Sequence, residues 1–477
     1  MEILTMPYLL PLLLLPLSLC LIFFIRKRGS AHPTNLPPGS EGWPILGENM
    51  ELTMLGSQQL VRNRMQKYSR DVFKTSLLGE KVAVLCGAQG NKFVYTNQNK
   101  LFNRWPPLSL RRALYQDLDV KSHQEPKATF QNFQYDILNP DSLKRYVPVM
   151  DSLAREQLEQ SWNPASVVKV LPLTKTYAFE LACRVFMNVA DSERLGRLLE
   201  PLSLLAKGIL SLPINLPGTA LNRAIRGCKV VRGELKRVVE ERRKEMMMMK
   251  GSRGEDLLSK MVVATNEDGE YMSDNMVVNV ILGLLVGAEY ELSSTITIVI
   301  YYLAELPHIY DEVLKEQMEI AKSKGPDEVL TWKDVEKMKY TWNVVCECLR
   351  LTPPSIGAFN ESTAEFTYAG FTIPKGWKVL WTPHSSHMNA DYFPEPEKFD
   401  PSRFEGSGPA PYTYVPFGGG ARMCPGRFYV KFVIMVFTHN LVTRFRLEKF
   451  IPNEKMLYHS SPAPAHGLPL RLHPHQK

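Results

Sequence analysis

The chain has 477 residues, of which 44% are hydrophobic and 22% charged, and its formal net charge is +8. This composition is ordinary for a globular protein and excludes a disordered chain, a collagen-like repeat and a small disulfide scaffold. The mild positive charge favours a membrane surface or an acidic partner, and we expect no nucleic-acid binding. The seven scattered cysteines do not predict a disulfide framework.

The N-terminal segment is apolar and uncharged from residue 3 to residue 25, and Arg26, Lys27 and Arg28 follow it directly. A helix of this length crosses a hydrocarbon core of about 30 Å, and the basic residues place the rest of the chain in the cytosol. A cleaved signal peptide would have a basic segment before a shorter apolar run. We therefore predict a membrane anchor over 1–28, a proline-rich elbow over 29–47 and a catalytic domain over 48–477.

The remaining chain predicts a mostly helical body with small sheets. The two halves of 72–86 predict a β-hairpin around a Gly79-Glu80 turn. An apolar helix is predicted over 274–306, and because Glu289 and Glu291 would be costly inside a bilayer, we expect it at the centre of a soluble domain. Further helices are expected over much of 140–250 and over 340–350 and 425–445, with short strands within 366–381.

The segment over 416–426, with the sequence PFGGGARMCPG, carries the strongest chemical signal. Its glycines let the backbone approach a flat group closely, and Pro425 suits the first turn of a helix. Cys424 then lies at a helix N-terminus beside Arg422, an environment that favours a thiolate. Because no nearby residue completes a catalytic triad or a zinc site, the sequence favours a single axial ligand to haem iron over an inert buried cysteine.

This segment resembles the haem-binding loop of the cytochromes P-450, of the form F-x-x-G-x-R-x-C-x-G, with all fixed positions filled. Glu347 and Arg350 match the family's E-x-x-R helix, and Arg403 completes its Glu–Arg–Arg cluster, which the resemblance implies is structural. The implied fold is the mainly α cytochrome P-450 fold with small β-sheets, preceded by one N-terminal transmembrane helix. As in microsomal members, we expect a single-pass protein of the endoplasmic reticulum membrane with a cytosolic catalytic domain.

The resemblance also implies the cofactor and the residues that contact it. The cofactor is haem, iron protoporphyrin IX, with Cys424 as the axial ligand of the iron. The other cofactor-binding residues expected are Phe417, Arg422, Gly426 and His387, of which Arg422 and His387 are the candidate contacts of the haem propionates. Electrons are expected from an NADPH-dependent flavoprotein reductase. A docking patch at Arg422, Arg427 and Lys431 and ordinary solvated charge are equally consistent with the sequence.

Several segments narrow the resemblance to a plant family that oxidises triterpene skeletons, which includes the β-amyrin C-28 oxidases and the dammarane hydroxylases. These segments are EQMEIAKSK, MKYTW, IPKGWK and FPEPEKFDPSRFEG. The resemblance implies a monooxygenase that uses dioxygen to oxidise a hydrophobic small molecule, a triterpenoid.

The chain departs from the family pattern at positions expected to face the haem. Tyr290 stands where the oxygen-activating signature has an acid, and Glu291 stands where it has a threonine. Gln131 and Asn360 stand where the family has arginines for the haem propionates. Glu291 is the candidate proton relay, with loss of the relay as the alternative. These departures leave open a haem-thiolate isomerase or dehydratase that does not activate dioxygen, or a catalytically impaired relative that acts as a binding protein.

Overall fold

The computed structural model describes residues 35–43, 47–114, 138–248, 254, 256–266, 269–325, 327–458 and 461–475. The predicted anchor over 1–28 and Gln131 lie outside these residues. The described body is mainly helical, as predicted, and its α-helices are Asn49–Lys67, Gly87–Thr96, Leu108–Leu114, Pro140–Leu143, Val147–Ser161, Val170–Met187, Ser192–Gly208, Ala220–Met248, Leu257–Val262, Asp274–Gly287, Ser293–Glu305, Pro307–Lys322, Trp332–Lys337, Lys339–Leu351 and Arg427–Val442.

The strands are short and form several small sheets. They are Val72–Leu77 (β1), Glu80–Leu85 (β2), Phe102–Arg104 (β3), Val168–Lys169 (β4), Ala358–Ser362 (β5), Phe366–Tyr368 (β6), Phe371–Ile373 (β7), Lys378–Trp381 (β8), Phe445–Lys449 (β9), Met456–Tyr458 (β10), Pro462–Pro464 (β11) and Pro469–Pro474 (β12). The largest sheet has the order β1-β2-β8-β5-β3, in which β2 and β8 are parallel and the other neighbours antiparallel.

The predicted hairpin is confirmed, with its turn one residue earlier than expected. β1 and β2 pair antiparallel as far as Leu77 opposite Glu80. The two turn residues are therefore Leu78 and Gly79, whose φ angles are 56° and 84°. Two successive positive φ angles match the right-handed twist of a tight hairpin, and glycine adopts this conformation without a steric cost.

The long central helix runs from Asp274 to Glu305 as predicted, but five residues at its middle, Ala288–Leu292, are π-helical. Among the described residues it is the helix that is long and apolar enough to cross a membrane. It packs instead against the helices Val170–Met187 and Ala220–Met248. Its inward side chains are fully buried in the main core, so it is the core helix that the sequence predicted.

Two further predicted helices, one carrying Glu347 and Arg350 and the other following Cys424, are present in the structure. Lys339–Leu351 agrees with the prediction for 340–350. The final helix, Arg427–Val442, ends before the predicted residue 445 because Phe445 begins β9. Its apolar side chains fill the main core, where the Phe437 ring lies 4.6 Å from that of Tyr177. The cysteine segment enters this helix directly and is thereby fixed to the core.

Candidate active site

The loop before Cys424 is held in one shape by its glycines and by backbone hydrogen bonds within it. The Cys424 amide donates to the Phe417 carbonyl at 2.9 Å. Gly418 and Gly420 have φ angles of 71° and 70°, which favour glycine. A Cβ on Gly418 would lie 3.0 Å from the Trp381 ring at the end of β8. The loop therefore lies directly against the largest sheet, and larger residues would push it away.

One face of the central helix borders an open space, called the cavity below, and the charge interaction between Glu291 and Cys424 places this space beside the loop. Gly283, Gly287 and Glu291 follow one another at intervals of four residues and so share a face. A Cβ on either glycine would meet no described atom within 4 Å. The Glu291 side chain is reachable by water although protein atoms surround it, and its charge acts on the Cys424 thiol. Glu291 and Cys424 therefore face the same cavity.

The electrostatics of the two groups differ from the sequence expectation of a favoured thiolate. Burial raises the pKa of the Cys424 thiol to about 11, and the charge of Glu291 acts in the same direction. Burial also raises the pKa of Glu291. The opposing effects of Arg427 and of a backbone hydrogen bond at Gly426 are smaller. The protein alone keeps the thiol protonated, and a bound metal cation would be needed to favour the thiolate.

The Arg422 side chain donates hydrogen bonds to the side-chain amides of two asparagines and to one backbone carbonyl. Its Nη1 donates to Asn360 Oδ1 at 3.1 Å, and its Nη2 donates to Asn99 Oδ1 at 2.5 Å. Nη2 also donates to the Phe102 carbonyl at 3.1 Å. The guanidinium therefore joins the cysteine loop to β3 and β5.

His387 is fully buried below the cysteine loop, and both of its ring nitrogens have backbone partners. Nε2 accepts from the Val415 amide at 2.8 Å, and Nδ1 lies 3.2 Å from the Arg350 carbonyl, to which its N–H donates. Burial lowers the pKa of His387 to about 3. The expected contact with a haem propionate would need a nitrogen that is already hydrogen-bonded, so His387 is a structural residue here.

Glu347, Arg350 and Arg403 come together as one buried cluster. Glu347 and Arg350 have no exposed side-chain surface and form two hydrogen bonds of 2.7 Å each. Arg350 also donates to the His387 carbonyl at 2.8 Å. Arg403 Nε lies 3.5 Å from Glu347 Oε1. The cluster connects the helix Lys339–Leu351 to the segment that carries His387 and lies outside the cavity.

A buried ion pair joins the π-helical segment to the helix Val170–Met187, and no sequence pattern predicted it. Glu289 is fully buried and accepts from Lys175 Nζ at 2.8 Å and from Ser203 Oγ at 2.6 Å. Lys175 Nζ also lies 5.5 Å from the centre of the Tyr290 ring. Residues that are adjacent in the oxygen-activating signature therefore point in different directions. Glu289 and Tyr290 face Lys175, whereas Glu291 faces the cavity.

The hydroxyls that follow Glu291 are engaged within the helix. Ser293 Oγ donates to the carbonyls of Glu289 and Tyr290. Thr295 Oγ1 donates to the Glu291 carbonyl at 2.7 Å. Both side chains are buried, so neither presents its hydroxyl to the cavity.

Tyr290 lines a pocket of about 440 Å³ whose wall is mostly apolar. Its volume is within the range of small-molecule sites. The wall combines the central helix, the β1–β2 hairpin and the segment after β10. The lining residues are Leu52, Thr53, Leu77, Leu78, Leu171, Lys175, Lys207, Leu210, Tyr290, Ser294, Ile356, Phe359, Tyr458, Ser461, Pro462 and Ala463.

Comparison with known proteins assigns this arrangement to a family. A family model described as "Cytochrome P450" matches residues 37–462. The chain belongs to the cytochrome P450 family. A retinoic-acid-bound cyanobacterial P450, CYP120A1, has the same fold with a TM-score of 0.82 at 29% identity, over 92% of this chain and 99% of that one.

Curated plant P450s are similar to this P450 over nearly its full length. It is 50% identical to a β-amyrin 6β-monooxygenase of Solanum lycopersicum over 98% of each chain. It is 48% identical to a β-amyrin 28-monooxygenase of Saponaria officinalis, over 97% of this chain and 96% of that one. These relatives agree with the resemblance to triterpene-oxidising enzymes. They do not favour the isomerase, the dehydratase or the non-catalytic binding protein.

The P450 family and fold imply a haem cofactor, and the cavity suits one. The open face at Gly283 and Gly287 leaves room for a flat group, and Cys424 faces that space from the other side. Among the described residues, no group of three His, Cys, Asp or Glu side chains could hold a metal ion. A lone sulfur on a glycine-rich loop is the donor that a haem iron takes as an axial ligand.

The basic residues near Cys424 do not form one exposed patch. Arg427 lies 4.3 Å from the Phe428 ring, and Lys431 lies 4.6 Å from the Trp342 ring. All three residues are partly exposed, but the Arg422 guanidinium is already hydrogen-bonded to Asn360. A docking surface here would therefore depend on Arg427 and Lys431.

Proposed function

We propose that this P450 is a monooxygenase that oxidises a triterpenoid, with Cys424 as the axial ligand of its haem. The observation that carries the substrate class is the 50% identity to a β-amyrin 6β-monooxygenase over 98% of both chains. The apolar pocket at Tyr290 is consistent with it, because Tyr290 immediately precedes Glu291 in the central helix and the pocket therefore lies next to the cavity. A hydrocarbon skeleton in this pocket would reach the cavity edge at these two residues.

The residues of the loop have distinct roles in this proposal. When bound, haem supplies dioxygen activation, and a thiolate ligand favours cleavage of the O–O bond. Cys424 holds the iron, while Phe417 and Gly426 maintain the loop on either side of it. Arg422 fixes the loop to β3 through the Phe102 carbonyl and to β5 through Asn360.

Glu291 is proposed as the proton donor of the cavity. Its carboxyl faces Cys424, and the hydroxyls of Ser293 and Thr295 are directed to backbone carbonyls instead. A carboxyl can give a proton to a group in the cavity and recover one from water. Glu291 would thus perform the step for which the family signature has a threonine and an acid.

The membrane and reductase assignments are also proposals. The uncharged run over 3–25 and the basic residues after it support a single anchor with the catalytic domain in the cytosol, as in the endoplasmic reticulum. Apolar side chains near the pocket are exposed, including Met54 at 80% and Leu216 at 61%, and these suit a membrane surface. Electrons would come from an NADPH-dependent flavoprotein reductase that contacts Arg427 and Lys431.

The proposal is tested by expressing the full chain with a plant reductase in one yeast strain that makes β-amyrin and in a second strain that also makes its 28-carboxylic acid. We expect an oxygenated product that requires NADPH, the reductase and dioxygen. Cys424→Ala is the matched variant and should give no product. A rearranged product that forms without the reductase would support the isomerase alternative, and a haem-loaded protein that converts no triterpene at all would contradict the proposal.

A further inference from the structure

The pocket at Tyr290 carries two positive charges on an otherwise apolar wall. Lys175 and Lys207 line it, and the lining residues include no Asp or Glu. The two lysines come from different helices, Val170–Met187 and Ser192–Gly208. A pocket for a pure hydrocarbon gains nothing from ammonium groups, which prefer water to an apolar ligand.

The two lysines lie at the same end of the pocket. Lys175 Nζ and Ser203 Oγ both donate to Glu289 Oε1, at 2.8 and 2.6 Å. Lys207 follows Ser203 by one helical turn and so shares its face. Within the described residues Lys207 makes no ion pair, whereas Lys175 is paired with Glu289. Two ammonium groups against one carboxylate leave this end of the pocket with one uncompensated positive charge.

A second polar group of the wall has no protein partner. Ser461 is 7% exposed and lines the pocket, and its Oγ has no hydrogen-bond partner among the described residues. The following residue is fixed in place, because Ser294 Oγ on the central helix donates to the Pro462 carbonyl at 2.6 Å. A buried hydroxyl without a partner is unfavourable. An oxygen atom on a bound ligand would satisfy it.

We propose that the substrate reaches this enzyme already oxidised and carries a carboxylate, which Lys207 binds while Ser461 contacts an oxygen atom of the same ligand. This inference rests on the triterpenoid oxidation proposed above and narrows its substrate to a triterpenoid acid. A single carboxylate balances the one uncompensated positive charge beside Glu289, and the apolar wall takes the ring system. The reaction that supplies the substrate would be the oxidation of a skeletal methyl group to a carboxyl group by a preceding oxygenase.

Binding is the direct test, because it does not require turnover. The haem-loaded full-length protein in detergent would be dialysed to equilibrium against β-amyrin, its 28-carboxylic acid and the methyl ester of that acid. We expect the acid to bind about five- to tenfold more tightly than the ester. High salt should reduce this preference, because Lys207 is exposed and the attraction is screened.

Substitutions at Lys207 separate its charge from its packing. Lys207→Gln should abolish the preference for the acid, and Lys207→Arg should retain it. Lys229→Gln is the control, because it removes the same charge from an exposed position on the neighbouring helix and should leave the preference unchanged. Lys175 is not substituted, because its loss would leave the buried Glu289 carboxylate without its cation.

The inference and the proposed function fail separately in this design. Equal affinities for the acid and the ester, or an unchanged preference in Lys207→Gln, would overturn the inference even if β-amyrin is oxidised. A Lys207-dependent preference for the acid would support the inference even if no triterpenoid is oxidised, in which case only the proposed function fails.

Discussion

Asn360 accepts a hydrogen bond of 3.1 Å from Arg422, so the residue that replaces an expected arginine holds the arginine of the cysteine loop. Asn360 is buried in β5, opposite Arg104 of β3. The sequence alone suggested that this position had lost a cationic contact with the haem. The structure shows that the Asn360 amide accepts a hydrogen bond from Arg422. The asparagine at this position therefore has a structural role, which is to hold the cysteine loop.

Replacement of Asn360 by alanine should weaken the attachment of the cysteine loop. Arg422 would keep its bonds to Asn99 and the Phe102 carbonyl, so we expect the free energy of unfolding to fall by about 1–2 kcal/mol. Urea unfolding of the purified protein measures this change. Asn103→Ala, at an exposed position of β3, should change it by less than about 0.5 kcal/mol. An equal loss in both variants would contradict the role assigned to Asn360.

Arg350→Met should be among the most destabilising single substitutions in the cluster. It would leave the fully buried Glu347 carboxylate without its bidentate partner, at a cost of about 3–5 kcal/mol. Arg403→Ala should cost only about 1 kcal/mol, because its Nε lies 3.5 Å from Glu347 and its loss leaves Arg350 in place. The yield of folded protein and the urea midpoint compare the two. A larger loss for Arg403→Ala would reverse the order that the geometry predicts.

Acidification should destabilise the protein through its buried histidines. Burial lowers the pKa of His384 and His387 to about 3 and that of His439 to about 4. The unfolded chain binds these protons near pH 6.5, so the stability present above that pH is lost as the pH falls toward 4. Each histidine contributes up to about 1.4 kcal/mol per pH unit.

His439→Gln should make this acid-dependent loss less steep between about pH 6.5 and about pH 4. Urea unfolding across this range gives the slope for the variant and the parent. His308→Gln, at an exposed position, is the control and should leave the slope unchanged. A slope in His439→Gln as steep as that of the parent would show that His439 protonates equally in both states.

Glu291→Gln should slow turnover without loss of haem. The amide occupies the same volume but cannot give a proton to the cavity, so product formation should fall by about tenfold or more. Glu291→Thr restores the residue that the family signature has and should retain more activity than the amide. Product yield per haem, assayed with the reductase, is the measurement. Full activity in Glu291→Gln would remove Glu291 from the proton path.

Local patterns in the sequence were sufficient for the main elements. The alternation in 72–86 predicted the hairpin, and Gly79 marked its turn to within one residue. The apolar length of 274–306 predicted the central helix, and its two carboxylates correctly argued against a membrane span. The cysteine motif predicted a loop whose glycines let the backbone approach a flat group closely.

The interactions that the sequence could not predict join residues far apart in the chain. Nothing near Lys175 or Ser203 indicates that both meet Glu289, because the helix packing that joins them is set by the whole core. The backbone partners of His387 could not be predicted for the same reason, since the Val415 amide and the Arg350 carbonyl that contact its nitrogens lie far from it in the chain. The π-helical turn that separates Glu289 from Glu291 also has no local sequence signal.

The central claim is that Cys424 is the thiolate ligand of a haem, and the reduced, carbon-monoxide-bound difference spectrum of the full-length protein in microsomes tests it most directly. We expect the strongly red-shifted band of a thiolate-ligated haem in the parent and its loss in Cys424→Ser, with comparable amounts of folded protein. The same band in Cys424→Ser, or no haem band at all in the folded parent, would contradict it.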